Sequence, residues 1–178
     1  PLLPPASALS RSPVHCINWW RGRSARLMKR TDEWREDNVA FNIKFVNGET
    51  VPKDEFPEEL LAEHNALGID LESPEKSLAV YRKLYSDAGD KMRIQGLVRI
   101  SLYAAYFGDP ELAMDLIEKA SIKRIDVITV LWTPVMKEVR KLPEFRKYIS
   151  EAGLVDYWKE YGWPDLCRPI GDDDFVCD

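Results

Sequence analysis

Four Pro-Glu pairs, at residues 57, 74, 110 and 143, each open an amphipathic stretch, and their spacing constrains the chain more than any other feature. Proline is tolerated in the first turn of a helix, where its missing N–H has no partner to lose. The last three pairs are 36 and 33 residues apart, and the first two are 17 apart, half of that interval. A period of about 34 residues is that of a helix-turn-helix repeat. The pattern predicts three units: 57–67 with 74–87, 91–107 with 110–121, and 124–141 with 143–152.

The second unit fits best. Leu97, Ile100, Ser101 and Ala104 take the packing positions of its first helix, Gly108 makes the turn, Asp109 caps, and Ala113, Ile117 and Ala120 line the second helix. Small side chains at Ser101, Ala104, Ala113 and Ala120 allow the two helices to cross closely. The first unit departs from this pattern, with Ser77 and Tyr81 at the corresponding positions. In the third, Leu131, Trp132, Val135, Met136 and Val139 recur at helical spacing, and Leu142-Pro143-Glu144 ends one helix and starts another. That helix is expected to stop at Gly153 in a left-handed turn with Leu154 against Ile149. Tyr157, Trp158, Tyr161 and Trp163 then supply aromatic anchors that seal the end of the stack, and Gly162 ends a last short helix.

Upstream, Val39, Phe41, Ile43 and Phe45 alternate with Ala40, Asn42 and Lys44, which predicts a strand. Asn47-Gly48 and the return run Glu49-Thr50-Val51, closed by Pro52, complete a predicted β-hairpin. Its apolar face should lie against the helices or pair with a partner's edge.

Residues 1–30 hold Arg11, Arg21, Arg23, Arg26, Lys29 and Arg30 and no acid, so this Pro/Ser/Arg-rich arm is +6 and the other 148 residues are −11, giving the net charge of −5. Trp19 and Trp20 within it suit either docking on the helical body or, interleaved with Arg21, Arg23, Arg26, Lys29 and Arg30, a surface for single-stranded nucleic acid. Alternatively the natural domain begins near Met28. The absence of an initiator Met and the Pro-broken opening suggest a fragment or trimmed chain rather than a secreted one.

With 45% apolar and 31% charged residues the composition is that of a soluble globular chain, and no apolar run reaches the roughly 20 residues needed to span a bilayer. Three cysteines, Cys16, Cys167 and Cys177, argue against a disulfide framework and for a reducing, cytoplasmic setting, with a Cys167–Cys177 bridge left open. His15 and Cys16 with Cys167 and Cys177 match no zinc spacing, and Asp172, Asp173 and Asp174 lack the alternation a calcium loop needs. No metal or cofactor is therefore expected, and 169–178 reads as a solvated acidic tail. His64 is expected to be an exposed imidazole. No phosphate loop, nucleophile elbow, His-Glu-x-x-His or Cys-x-x-Cys occurs, so the chain is not expected to be an enzyme.

The run Leu131-Trp132-x-Pro134, Arg140, Pro143-x-Phe145, the Gly153-Leu-Val-Asp-Tyr-Trp158 run and Gly162-Trp-Pro-Asp-Leu-Cys167 resembles the C-terminal end of bacterial tetratricopeptide-repeat (TPR) proteins. In that group the repeats often form the C-terminal part of nucleotide cyclases, winged-helix regulators or related signalling chains, which the resemblance implies here as a regulatory fragment of a larger protein. The expected fold is mainly α: TPR-like antiparallel helix pairs in an α-solenoid over 57–168, with a capping helix, after an arm at 1–30 and a hairpin segment at 31–56. Such stacks bind a protein or peptide through the face formed by the first helix of each unit. That face is expected to carry Val98, Leu102, Ala105 and Tyr106, with Leu131, Val135, Glu138 and Val139 as their equivalents 33 residues on. The Lys/Asn/Arg set by which chaperone-binding TPR proteins hold a terminal carboxylate is missing from these positions, and a largely apolar groove suits a helix or the hairpin, from this chain or a partner. Alternatively these residues are simply core.

Overall fold

Every one of the four Pro-Glu pairs stands at the start of a helix in the computed structural model, which describes residues 36–88, 91–120, 125–171 and 174–178. In chain order the elements are α1 (Glu36–Val46), a 3-10 turn (Lys53–Glu55), α2 (Glu58–Leu67), α3 (Pro74–Ala88), α4 (Ile94–Tyr106), α5 (Pro110–Ala120) and α6 (Ile125–Val130). Two 3-10 turns (Pro134–Met136 and Val139–Lys141), α7 (Pro143–Glu151), α8 (Leu154–Tyr161), β1 (Cys167–Ile170) and β2 (Asp174–Cys177) follow. The described part is thus mainly helical with one small antiparallel sheet.

Among the described elements, helices α4 and α5 make the most extensive pairing. Ser101, Ala104, Ala113 and Ala120 are all 0% exposed between them and their neighbours, as side chains this small must be where backbones approach. Gly108 adopts φ 86°, letting its own N–H reach Ala105 O and the Asp109 N–H reach Ala104 O. Asp109 then caps α5, its Oδ1 accepting from the Leu112 N–H at 3.0 Å. From α5 the packing passes to α7 and then to α8.

Two predicted elements are corrected. The segment 36–46 is a helix, not a strand: Phe41 and Phe45 lie one helical turn apart and are both buried, whereas Ile43 between them is only half-buried. Four alternating apolar residues always contain an i, i+4 pair, and here tertiary burial of that pair decides the outcome. Asn47-Gly48 ends this helix instead of turning a hairpin. Gly48 sits at φ 71°, and the Gly48 and Glu49 N–H groups donate to Phe45 O and Lys44 O, each at 3.0 Å, which is a Schellman stop. Among the described residues the strand hairpin is C-terminal.

The predicted helix 124–141 is also not continuous. It stops at Val130, because Pro134 has no N–H to donate to Val130 O and its ring would collide with that carbonyl. Thr133, held extended before the proline, serves that carbonyl instead: its N–H donates at 3.0 Å and its Oγ1 at 2.7 Å. The helically spaced apolar residues are still buried, Leu131, Met136 and Val139 all at 0% exposure, but on turns.

At the C-terminus α7 is followed by a left-handed Gly153 (φ 72°), and α8 runs from Leu154 to Tyr161, with Gly162 as its C-cap. Trp158 lies edge-on to Trp132 (5.8 Å) and to Phe175 (5.7 Å), and Trp163 packs on both Trp158 (5.5 Å) and Phe175 (5.8 Å). This aromatic cluster closes the end of the helical body. The expected solvated tail is instead the β1–β2 hairpin, with Phe175 and Cys177 buried. Cys167 and Cys177 face each other in its register and are joined as a disulfide, correcting the expectation drawn from the cysteine count. Disulfides are rare in reducing surroundings, so the cysteines give no support to a cytoplasmic setting.

Candidate functional site

Of the α4 residues expected to face a partner, Tyr106 already meets a helix of the same chain. Phe45 of α1 packs its ring on Tyr103 (4.8 Å) and Tyr106 (4.9 Å) of α4, while Phe41 meets Phe56 at 4.7 Å and Phe45 at 5.6 Å. Beyond the Schellman stop, the Val51 N–H donates to the Tyr106 hydroxyl at 2.9 Å. Gly48 lies so close to the Pro134–Met136 turn that a Cβ there would stand 3.4 Å from the Val135 Cα. The segment from α1 to Val51 therefore bridges α4 and that turn, the two stretches chosen from the repeat pattern.

Each predicted groove residue now has a place. Val98, Leu102, Ala105 and Tyr106 are half-buried and pack against the core. Leu131 (0% exposed), Val135 (8%) and Val139 (0%) are core and present no open surface, because the break at Pro134 turns them inward. Glu138 is exposed and pairs with Lys141 at 2.6 Å, the bond that chiefly lowers its pKa. The basic-arm residues Trp19, Trp20, Arg21, Arg23, Arg26, Lys29 and Arg30 lie outside the described residues, as do His15, Cys16, Met28, Asp172 and Asp173. Among the described residues no group of three or more His, Cys, Asp or Glu is gathered to hold a metal ion, and no helix is long and apolar enough to cross a membrane.

Beneath the α1 seat is a polar link the sequence did not suggest. His64 is 2% exposed, not a surface imidazole. Its Nδ1 lies 2.6 Å from Leu60 O, and since a carbonyl only accepts, Nδ1 carries the proton. Nε2 is thereby an acceptor and takes the Tyr81 hydroxyl proton at 3.1 Å, joining α2 to α3. Tyr81 stacks on Tyr103 (5.4 Å), and the His64 ring meets Tyr103 edge-on at 5.0 Å. Burial lowers the His64 pKa; the Leu60 bond opposes this, Arg99 adds to it and Glu63 opposes it. Burial also raises the phenol pKa of Tyr81 and Tyr103, so the cluster is neutral at pH 7. Arg99 and Glu63 pair at its outer edge, and Ser77 Oγ donates to Asp70 O at 2.6 Å alongside. One signal was present: His64 and Tyr81 are 17 residues apart, the half-repeat interval at which helices of one unit face each other.

Comparison of the chain with protein-family models, with curated proteins and with solved structures returned no match.

Proposed function

We propose that this chain is a non-catalytic, TPR-like protein-interaction module that receives a helix on the inner face of α4. One observation carries this reading: α4 offers half-buried apolar side chains and Tyr106 beside the buried Tyr103, and the segment lying on those two rings is a helix held through Phe45, with Phe41 packed on Phe56. Helix-in-groove recognition uses this chemistry, with anchors one turn apart entering an apolar face. The Gly153–Cys167 run supports the wider context of a regulatory piece of a larger bacterial signalling protein. Affinity capture with the full chain tests the reading. Leu102→Glu and Glu138→Lys should each reduce capture of a partner while the melting temperature shows the fold intact; capture indifferent to both substitutions overturns it.

A further inference from the structure

We infer that the basic arm, residues 1–30, docks on the outer face of α2, its arginines against the acids of that helix and its tryptophans against the apolar residues between them. This contact lies on α2 rather than on the inner face of α4, so it does not rest on the interaction reading above. The charges are segregated along the chain. Residues 1–30 carry +6 with no acid, whereas residues 54–75 hold eight acids and no Lys or Arg. Described partners take four of the eight: Lys44 pairs with Glu55, Lys53 with Glu72, Lys76 with Asp70 and Arg99 with Glu63. Asp54, Glu58 and Glu59, all exposed, pair with no described residue.

Of the ten residues of α2 only His64 is buried, and on the opposite side Ala62 and Ala66 stand exposed one turn apart among Glu58, Glu59 and Glu63. Leu67, at 39% exposure, extends this surface at the C-terminal end of the helix. Small apolar side chains flanked by carboxylates suit indole rings flanked by guanidinium groups, which is what Trp19, Trp20, Arg21, Arg23 and Arg26 supply. A single exposed ion pair contributes little, so docking needs several in parallel together with burial of the rings. The chain also delivers the arm to this place. From Glu36, α1 runs beside Phe56, with Phe41 on Phe56 at 4.7 Å and the Phe56 ring 6.5 Å from that of His64 in α2. The stretch from Trp20 to Glu36 can extend to roughly 50 Å, several times the roughly 15 Å length of α2.

The test is NMR of the full chain carrying a maleimide nitroxide on Cys16, the cysteine outside the Cys167–Cys177 bridge. At low salt the amides of 58–67 should be broadened, while those of α8, at the tryptophan-closed end, should not. Asp54→Asn, Glu58→Gln and Glu59→Gln together should cut that broadening about threefold or more, three exposed ion pairs being lost. No broadening of α2, or broadening that this variant keeps, overturns the inference and leaves the arm to single-stranded nucleic acid. Equal broadening of an isotope-labelled chain mixed with separate spin-labelled chains also overturns it, since the arm of a second copy is then the occupant. Should the variant not fold, the wild-type chain in about 1 M salt decides, where the Debye length is about 3 Å. Sharpening of amides 58–67 there supports docking, and their remaining broad overturns it.

Discussion

Arg140 reaches the far end of the described chain: its Nε donates to the main-chain oxygen of Asp178 at 2.7 Å, while Nη1 donates to Leu131 O at 2.8 Å and Thr133 O at 2.9 Å. The guanidinium is 3% exposed, and burial lowers its pKa to about 10 against the opposing pull of Asp178 and Glu138. It remains charged at pH 7. The planar fork thus holds together the turn that Pro134 forces and the hairpin that covers it.

Arg140→Met should therefore destabilise the fold by on the order of 3 kcal/mol or more, because it leaves three carbonyls without a donor. Arg140→Lys should recover only part, a point charge being unable to serve all three positions. Urea unfolding at constant m-value reads both.

The Cys167–Cys177 bridge closes a hairpin with a sequence separation of 10, for which chain-entropy reasoning gives about 2–3 kcal/mol. Replacing both cysteines with serine should lower the unfolding midpoint accordingly. It should also shift Trp fluorescence, since Phe175 on the same strand packs on Trp158 and Trp163.

Stability should depend on pH through His64. Its folded pKa is lowered from the usual value of about 6.5, so below that pH the unfolded chain binds the proton and the folded one does not. Stability is complete above about pH 6.5 and falls as the pH drops towards the folded pKa, by at most ~1.4 kcal/mol per pH unit from this group. His64→Gln should flatten that limb in unfolding curves taken between about pH 5 and 7. Tyr81→Phe should cost about 1–3 kcal/mol at pH 7 by leaving buried Nε2 without its donor.

Gly48→Ala tests the left-handed stop of α1. At φ 71°, with Val135 Cα 3.4 Å from the added Cβ, it should cost about 1–2 kcal/mol in thermal or urea unfolding. It should also loosen α1 from the Pro134–Met136 turn.

Local signals that act alone survived folding. Pro-Glu starts, the Gly108 turn, the Asp109 cap, the small residues of α4 and α5 and the tryptophan-rich end were readable because each is set by backbone sterics or by a volume that neighbours must accept. Phe41 and Phe45 were misread because an alternating run satisfies both periods, and only the seat formed by Tyr103 and Tyr106 breaks the tie. Leu131 and Val135 kept their apolar spacing while Pro134 removed the helix that gave it meaning. His64 could not be recognised from its own surroundings in sequence, since its partners, Tyr81 and Tyr103, come from other helices. Of the residues expected to face a partner, Tyr106 meets α1, and a helix of the same chain was one of the occupants that an apolar face suited; that the segment 36–46 would be that helix was hidden by its alternating pattern.

The most direct measurement is NMR of the labelled full chain over residues 40–51. Helical Cα shifts through 40–46, with ring contacts from Phe45 to Tyr103 and Tyr106, are the expected result. Extended shifts over 39–45, with cross-strand contacts to 49–51 and no Phe45–Tyr106 contact, would contradict a helix seated on the inner face of α4.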